Sequence, residues 1–314
     1  MPSLLPPRLV VLVPCYNEGT TIAQVVRDFQ AALPTAVIHV YDNNSSDLTA
    51  AIARENGAVV RSEPLQGKGN VVRRMFADID ADIYVLVDGD ATYHAPSAKK
   101  MIERLLGENL DMINGVRVSD VQEAYRPGHR LGNKMLTGMV SLIFGNRVTD
   151  MLSGYRILSR RFVKSFPAQA SGFEIETELT VHALEMRMAI GEVETPYGAR
   201  PEGSTSKLNT YRDGIRILRT ITNLIREERP LAFFASIGGG LFLVAVLLAV
   251  PLVAEFLQTG LVPRLPTAVL ATGMVLFGMI LISCGLILDT VSRGRREVKR
   301  LHYLGLPSPA SLGE

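Results

Sequence analysis

Ile83-Tyr84-Val85-Leu86-Val87 is an unbroken apolar run that ends at Asp88-Gly89-Asp90. Apolar, β-favouring residues closed by an Asp-Gly turn read as a strand buried on both faces, the kind found inside a parallel sheet. The pattern repeats upstream. Leu9–Val13 ends in Pro14-Cys15-Tyr16-Asn17-Glu18, and Val37–Tyr41 ends in Asp42-Asn43-Asn44-Ser45-Ser46-Asp47. Helical patterns near 21–32, 48–56, 70–78 and 95–106 alternate with these runs and with further strands at 59–61 and 112–116. Such alternation predicts an α/β fold, a mostly parallel sheet with helices on both faces. Ligands of these sheets bind beyond the carboxyl ends of the strands, where all three polar clusters fall.

A lone Asp-Gly-Asp would be a solvated turn. Here Val85-Leu86-Val87 precedes it and two more polar turns lie at equivalent ends, so a pocket is the expectation. Two carboxylates at i and i+2, Asp88 and Asp90, reach one hard divalent cation. Mg²⁺ or Mn²⁺ is expected rather than zinc, because the donors are oxygens with no accompanying His/Cys set. Such an ion bridges a diphosphate and neutralises its charge as it leaves. Gly67-Lys68-Gly69 is a fragment of a phosphate loop without the full Walker spacing, and alone it is a flexible turn with a basic tip.

The chain has 314 residues, enough for one sizeable core and something smaller, and its 47% apolar and 20% charged composition is globular. A formal charge of +2 is too small for nucleic-acid binding by bulk charge. The two cysteines, Cys15 and Cys284, form no disulfide or zinc pattern. Leu9–Val13 is too short for the apolar core of a signal peptide. Mean hydropathy is nevertheless positive, and the excess is local. Leu231–Ala254 and Leu265–Leu288 carry no charged residue. As helices each spans about 36 Å, enough for a hydrocarbon core of about 30 Å. Arg226 and Arg229 precede the first, Arg293, Arg295, Arg296, Lys299 and Arg300 follow the second, and the loop between holds only Arg264. By the positive-inside rule both ends are expected in the cytoplasm, which makes this a multi-pass inner-membrane protein. Arg212–Arg226 has the spacing of a basic amphipathic helix in the interface. Leu131–Phe144 has it too, with packing on the domain core an equal alternative. The expected division is a cytoplasmic catalytic domain at 1–210, a juxtamembrane helix at 211–229, two transmembrane helices within 230–290, and a basic tail at 291–314.

Pro14–Glu18, Tyr41–Asp47, Gly67–Gly69, Val87–Asp90 and Asp150-Met151-Leu152-Ser153-Gly154-Tyr155-Arg156 resemble, in type and order, the motifs of family 2 glycosyltransferases. The polyprenyl-phosphate branch, which includes dolichol-phosphate mannose synthase and undecaprenyl-phosphate glucosyltransferases, is the most similar. The resemblance covers 8 to about 228 and implies a GT-A nucleotide-diphospho-sugar transferase fold, here followed by a two-helix transmembrane hairpin. It also implies inverting transfer of one sugar from a nucleotide sugar (UDP favoured, GDP the alternative) to polyprenyl phosphate, giving a lipid-linked sugar for envelope glycans or lipid A.

By that resemblance Pro14, Tyr16 and Glu18 line the nucleoside pocket, Asp42 contacts base or ribose, and Asn43, Lys68 and Gly89 complete the donor side. Asp88 and Asp90 hold the metal. Thr92 stands where some relatives have a Gln ligand, and Asn43 lacks the charge of the usual Asp. Arg200, Gly203, Ser206 and Lys207 match a segment that closes over the phosphates. The acceptor phosphate is already ionised near neutral pH, its second pKa being about 6, so clustered cations matter more than a base. Arg117, Arg126, Arg130 and Arg156 are the candidates, with Asp150 orienting the acceptor or an arginine. Arg126 and Arg130 as solvated charges, and Asp150 with Arg156 as a structural ion pair, are the alternatives. Glu174 or Glu176 is a candidate reader of sugar hydroxyls, whereas Glu178 reads as a solvated helix-surface charge. Processive synthases carry a Gln-x-x-Arg-Trp segment, and this chain has no tryptophan. A catalytically silent nucleotide-sugar scaffold and a transferase with a soluble acceptor are the competing readings. The glycine-bearing spans allow packing against a second copy.

Overall fold

The computed structural model describes residues 7–118, 138, 148–172, 174–199, 219, 222–223, 225–227 and 229–309. The chain divides into two compact units, Met1–Ile215 with Lys299–Glu314, and Arg216–Val298.

Among the described residues of the first unit, β1 (Leu9–Cys15), β2 (Val37–Asp42), β3 (Val59–Ser62), β4 (Ile83–Leu86), β5 (Met112–Val118), β6 (Arg156–Ser159) and β7 (Ile190–Pro196) form one sheet. Its order is β3-β2-β1-β4-β6-β5-β7. All neighbours are parallel except β6, which runs antiparallel to β4 and β5. The expected fold class holds, with β6 and β7 as additions. The helices are α1 (Ile22–Ala32), α2 (Thr49–Glu55), α3 (Lys68–Asp78), α4 (Ser97–Gly107), α5 (Arg160–Ser165) and α6 (Ile175–Glu185).

Strand alternation splits the core in two. Val11 and Val13 join Ile38, Val40 and Val85 beneath α1, α2 and α4. Val10 and Leu12 join Tyr84 and Leu86 beneath α3, α5 and α6. Helix α1 forms because Ile22, Val25, Val26 and Phe29 recur at helical spacing and are buried. It ends at Leu33, which precedes Pro34 and is held out of the helical region by it. Strands β2 and β3 lie to one side of β1 and β4 to the other. The winding therefore reverses between β1 and β4, and their carboxyl ends flank the crevice where such sheets bind ligands.

In the second unit α7 (Pro230–Thr259) and α8 (Leu265–Leu304) are candidate membrane-spanning helices by length and composition. Their buried positions recur every seven residues: Gly238, Ala245 and Leu252 on α7, and Ala271, Gly278, Gly285 and Ser292 on α8. A seven-residue repeat keeps one seam in register along two helices that wind left-handedly. At that seam the backbones touch. A Cβ added to Gly238 would lie 2.7 Å from the Gly278 carbonyl oxygen, and one on Gly278 would lie 2.9 Å from that of Gly238. Helix α8 outlasts its apolar stretch, because 289–304 holds good helix formers and an i,i+4 ion pair, Arg293–Asp289 at 2.8 Å.

The last turn of α8 belongs to the first unit. Lys299 Nζ donates to Glu185 Oε2 at 2.9 Å, and Tyr303 Oη to Asp111 Oδ2 at 2.9 Å. Arg161 pairs with Asp111 and lies 4.9 Å from the centroid of the Tyr303 ring.

Candidate active site

The β1 and β2 turns are zipped together by side chains. Asn17 N–H donates to Ser45 Oγ (2.9 Å), Glu18 N–H to Thr49 Oγ1 (2.9 Å), and Ser46 N–H to Asn17 Oδ1 (2.7 Å). Ser45 and Asn17 thus join two loops, and neither caps a helix. The arrangement leaves Tyr16, 37% exposed, at the rim. Asp42 is 8% exposed. Its Oδ2 accepts Ser45 N–H at 3.2 Å, while its buried Oδ1 has no hydrogen-bond partner among the described residues. A buried acceptor without a donor is costly, and a ligand that brings one removes the cost.

Asn43 requires a correction. Its side chain is buried and its amide is spent on the chain itself. Nδ2 donates to the carbonyls of Glu63 (2.9 Å) and Leu65 (2.8 Å), and Oδ1 accepts Gly67 N–H (2.6 Å). It braces the 63–67 loop that delivers Lys68, a task suited to an amide, which both donates and accepts.

Beyond β4, Asp90 is buried and accepts from Thr92 Oγ1 at 2.6 Å, so the residue in the place of the relatives' Gln serves the carboxylate. Gly89 C=O accepts from Thr21 Oγ1 at 2.7 Å, tying the turn to the start of α1. The 150–156 motif reaches the same point. A Cβ on Gly154 would lie 2.3 Å from Asp88 Oδ2, so only glycine allows this approach. Tyr93 Oη accepts Gly154 N–H at 2.8 Å and holds the backbone there.

Lys68, the first residue of α3, is no flexible tip. Its Nζ bridges Asp88 and Glu176. Burial alone would lower its pKa, but the facing carboxylates of Asp88 and Glu176 outweigh that and hold it above the ordinary range. The N-terminal amides of α3 are already used, since Gly69 N–H donates to Gly172 C=O (3.1 Å) and Asn70 N–H to Ser171 C=O (3.3 Å). That end is therefore strapped to 171–172 and does not serve as a phosphate cradle.

Toward β5 and β7, Asp150 accepts a forked pair from Arg117, Nε at 2.7 Å and Nη2 at 2.8 Å. The Arg117 guanidinium stands 5.5 Å from the Tyr197 ring centroid. Two supports of this corner were not expected from the sequence. Asn114 Nδ2 donates to Asp150 C=O (2.8 Å), and Glu192 accepts Thr149 N–H and Oγ1, each at 2.8 Å.

Arg156 is also corrected. It is wholly buried and donates to the carbonyls of Ser153 (3.2 Å), Met151 (2.7 Å) and Glu176 (3.0 Å) and to Thr180 Oγ1 (2.8 Å). Burial pushes its pKa down to about 10. It ties the 150–154 loop to α6, its donors spent inside the protein; among the described residues Asp150 pairs with Arg117 instead. Glu178 is no solvated charge either: it accepts Gln169 and Ala170 N–H at 2.9 and 2.8 Å. Arg126, Arg130, Arg200 and Lys207 lie outside the described residues, as do 131–144 apart from Gly138 and most of 212–226.

Among the described residues no cluster of three metal-ligating side chains occurs. An ion here would be held by Asp88 and Asp90, with the remaining ligands from phosphate and water, a set that suits Mg²⁺ or Mn²⁺.

Residues 10–166 match the model of glycosyl transferase family 2. The chain belongs to that family. It is 32% identical to glycosyltransferase AglJ of Haloferax volcanii over 95% of this chain and 99% of that one. It is 28% identical to a dolichyl-phosphate hexose transferase of the same organism, over 70% and 95%. Among solved structures, glucosyl-3-phosphoglycerate synthase of Mycobacterium tuberculosis shares the fold, with a TM-score of 0.57 and 24% identity over 70% of this chain and 79% of that one. It was crystallised with Mn²⁺, uridine-diphosphate-glucose and glycerol 3-phosphate. As a family 2 glycosyltransferase, this chain places its paired carboxylates at the reversal of its sheet.

Proposed function

We propose that this family 2 glycosyltransferase moves one sugar, with inversion, from a nucleotide sugar, UDP-linked in preference to GDP-linked, to a polyprenyl phosphate of the undecaprenyl type. The observation that carries the reading is the joining, in one chain, of a carboxylate pair at the sheet's reversal point and two helices long and apolar enough for a membrane. The Oδ1 of Asp42, unpartnered among the described residues, supports a nucleoside at the crevice, with Tyr16 at its rim. A named dolichyl-phosphate hexose transferase among the relatives supports the lipid acceptor. The Lys/Arg asymmetry around the apolar helices supports a cytoplasmic catalytic region at 1–210, linked through 211–229 to the inner membrane.

In this mechanism Asp88 and Asp90 hold Mg²⁺ or Mn²⁺, which when bound supplies charge neutralisation for the departing diphosphate. The protein's own groups do the rest. Asp42, Tyr16, Pro14 and Glu18 seat the nucleoside. Arg117, oriented by Asp150, receives the acceptor phosphate with Arg126 and Arg130, and Arg200 and Lys207 close over the phosphates. The acceptor oxygen is already anionic, so Asp150 acts as orienter of Arg117. Its two oxygens are engaged there, and no general base is needed.

The test is incubation of the full chain in detergent with UDP- and GDP-sugars, Mn²⁺ and polyprenyl phosphate, reading lipid-linked sugar and free nucleotide. Product that requires the lipid, and is lost in Asp88→Asn, is expected. Donor binding without turnover would make the chain a scaffold; turnover with only a soluble phosphate acceptor would overturn the lipid assignment.

A further inference from the structure

One ionic contact at the crevice belongs to no role described so far. The ammonium of Lys68 lies between Asp88 Oδ1 and Glu176 Oε1, the latter at 2.5 Å. The side chains of Lys68 and Glu176 are about nine-tenths buried, whereas Asp88 retains 29% of its surface. Both ends of the bridge are on fixed backbone. The glycines flanking Lys68 leave no space, since an added Cβ would lie 2.2 Å from Ser171 O at Gly67 and 2.1 Å from Ala170 O at Gly69. Glu176, in the first turn of α6, has its carbonyl bonded by Arg156 Nη2 at 3.0 Å, and Arg156 Nη1 holds Thr180 one turn on at 2.8 Å. The buried guanidinium thus fixes the helix that carries Glu176, and the strap at 170–172 fixes the helix that carries Lys68.

The charges explain why the bridge exists. Asp88 and Asp90 put like charges within one turn beside a third carboxylate, Glu176, and such a group needs a cation. Lys68 supplies it from within the chain. We propose that Lys68 is the resident counter-cation of the carboxylate pair and that Glu176 is a positioning residue for it. A divalent ion then takes Asp88 in competition with the ammonium, which keeps Glu176 as its second partner when it yields. Lys68 thereby sets how much metal the empty enzyme takes up, and Glu176 keeps the ammonium next to the place where a diphosphate brings new negative charge. This rests on the reading of Asp88 and Asp90 as the metal pair.

The experiment is a Mn²⁺ titration of the full-length protein in detergent without nucleotide, followed by electron paramagnetic resonance of the free ion. Lys68→Met should bind Mn²⁺ about fivefold more tightly than the wild type, as a competitor is removed. Glu176→Gln should bind it about fivefold more weakly, because the ammonium is left with Asp88 alone. In the Lys68→Met background the Glu176→Gln change should then have less than about a twofold effect, the mark of two residues acting through each other. Lys68→Gln, closer in polarity to the original, repeats the series if the Met variant does not elute as a single species. Unchanged or weakened binding in both Lys68 variants would overturn the competition. An equal effect of Glu176→Gln with and without Lys68 would show that it acts by its own charge and would overturn the positioning role. Full Mn²⁺ affinity in the doubly substituted Asp88→Asn, Asp90→Asn protein would instead remove the metal reading itself.

Discussion

In the sheet unit the large side chains are the buried ones. Leu12, Tyr41, Tyr84, Ile83 and Met101 are fully enclosed. In the helix pair the order is inverted. Gly238, Ala245, Gly278 and Gly285 are enclosed, while Leu247 is 63% and Leu257 78% exposed. The first unit is sorted by water, which expels apolar surface. The second turns its apolar surface outward, as a helix pair in hydrocarbon would, where association would depend on close backbone packing. The polar crevice exists only in the first, where a rigid double-faced core can hold charged turns in place.

The hardest blow to that contrast falls on the crevice. Asp88→Asn and Asp90→Asn, which alter no apolar contact, should each lower transfer about a thousandfold, or about 4 kcal/mol of transition-state stabilisation, with the fold intact by circular dichroism. Gly154→Val should lower activity comparably, since its side chain enters the space of the Asp88 carboxylate. Activity within tenfold of the wild type in either test would show that the chemistry lies elsewhere.

Packing should fail on opposite changes of side-chain size in the two units. Leu12→Ala removes a fully buried side chain and should cost about 2–5 kcal/mol. Leu247→Ala, on the outward face of α7, should leave the detergent-solubilised melting temperature nearly unchanged. Conversely Gly278→Leu, at the seam with Gly238, should cost about 1–3 kcal/mol by forcing the helices apart. If Leu247→Ala were as damaging as Leu12→Ala, the helix pair would be an ordinary water-facing pair with a missing partner.

The same contrast explains what the sequence disclosed. Strands β1 and β4 were legible because a strand buried on both faces is a continuous apolar run, β2, β3 and β5 by shorter β-favouring runs between helical patterns, and the apolar helices because charge is absent over a long stretch. Strand β6 was not, since it begins with Arg156, and nothing local says that a guanidinium will be satisfied by carbonyls and a hydroxyl inside the protein. Strand β7 was hidden by Glu192 and Glu194, which alternate toward the surface of an edge strand. In the site, Asp88 and Asp90 were legible as a local pair. Lys68–Glu176 and Arg117–Asp150 join residues 108 and 33 positions apart, which only the closed sheet brings together. Asn43 is grouped with the donor side by its neighbours in sequence, whereas its amide is bonded to the 63–67 loop.

Acid should unsettle the sheet unit through a buried histidine. Burial against Phe162 and Phe166, each with its ring centroid 5.3 Å from that of His182, pushes the imidazole down to about 3, and nearby Lys299 adds to the effect. Its folded pKa thus lies below the unfolded value of about 6.5. The stabilisation is present above the unfolded value and is lost as pH falls from there toward 3, at up to about 1.4 kcal/mol per pH unit. Melting at about pH 5 should therefore be lower than at about pH 7.5, and His182→Asn should flatten that difference. An unchanged slope would assign the acid sensitivity to other groups.

The smallest expected effect concerns Lys299–Leu304, the last turn of α8, which belongs to the sheet unit. Within that unit the turn is held by polar bonds, Lys299 to Glu185 and Tyr303 to Asp111. Asp111 is wholly buried and also takes Ser159 and Arg161, so it keeps partners when one is removed. Tyr303→Phe retains the ring beneath Arg161 and removes only the hydroxyl. It should cost about 1 kcal/mol, the net worth of one hydrogen bond. Tyr303→Ala also gives up the ring's contact with the core and the guanidinium and should cost more. Equal melting temperatures for the two variants would show that the ring contributes nothing and that the hydroxyl carries the whole of Tyr303's share. A graded loss would show that this end of α8 obeys the rules of the sheet unit, with large groups inward and each buried polar atom paired.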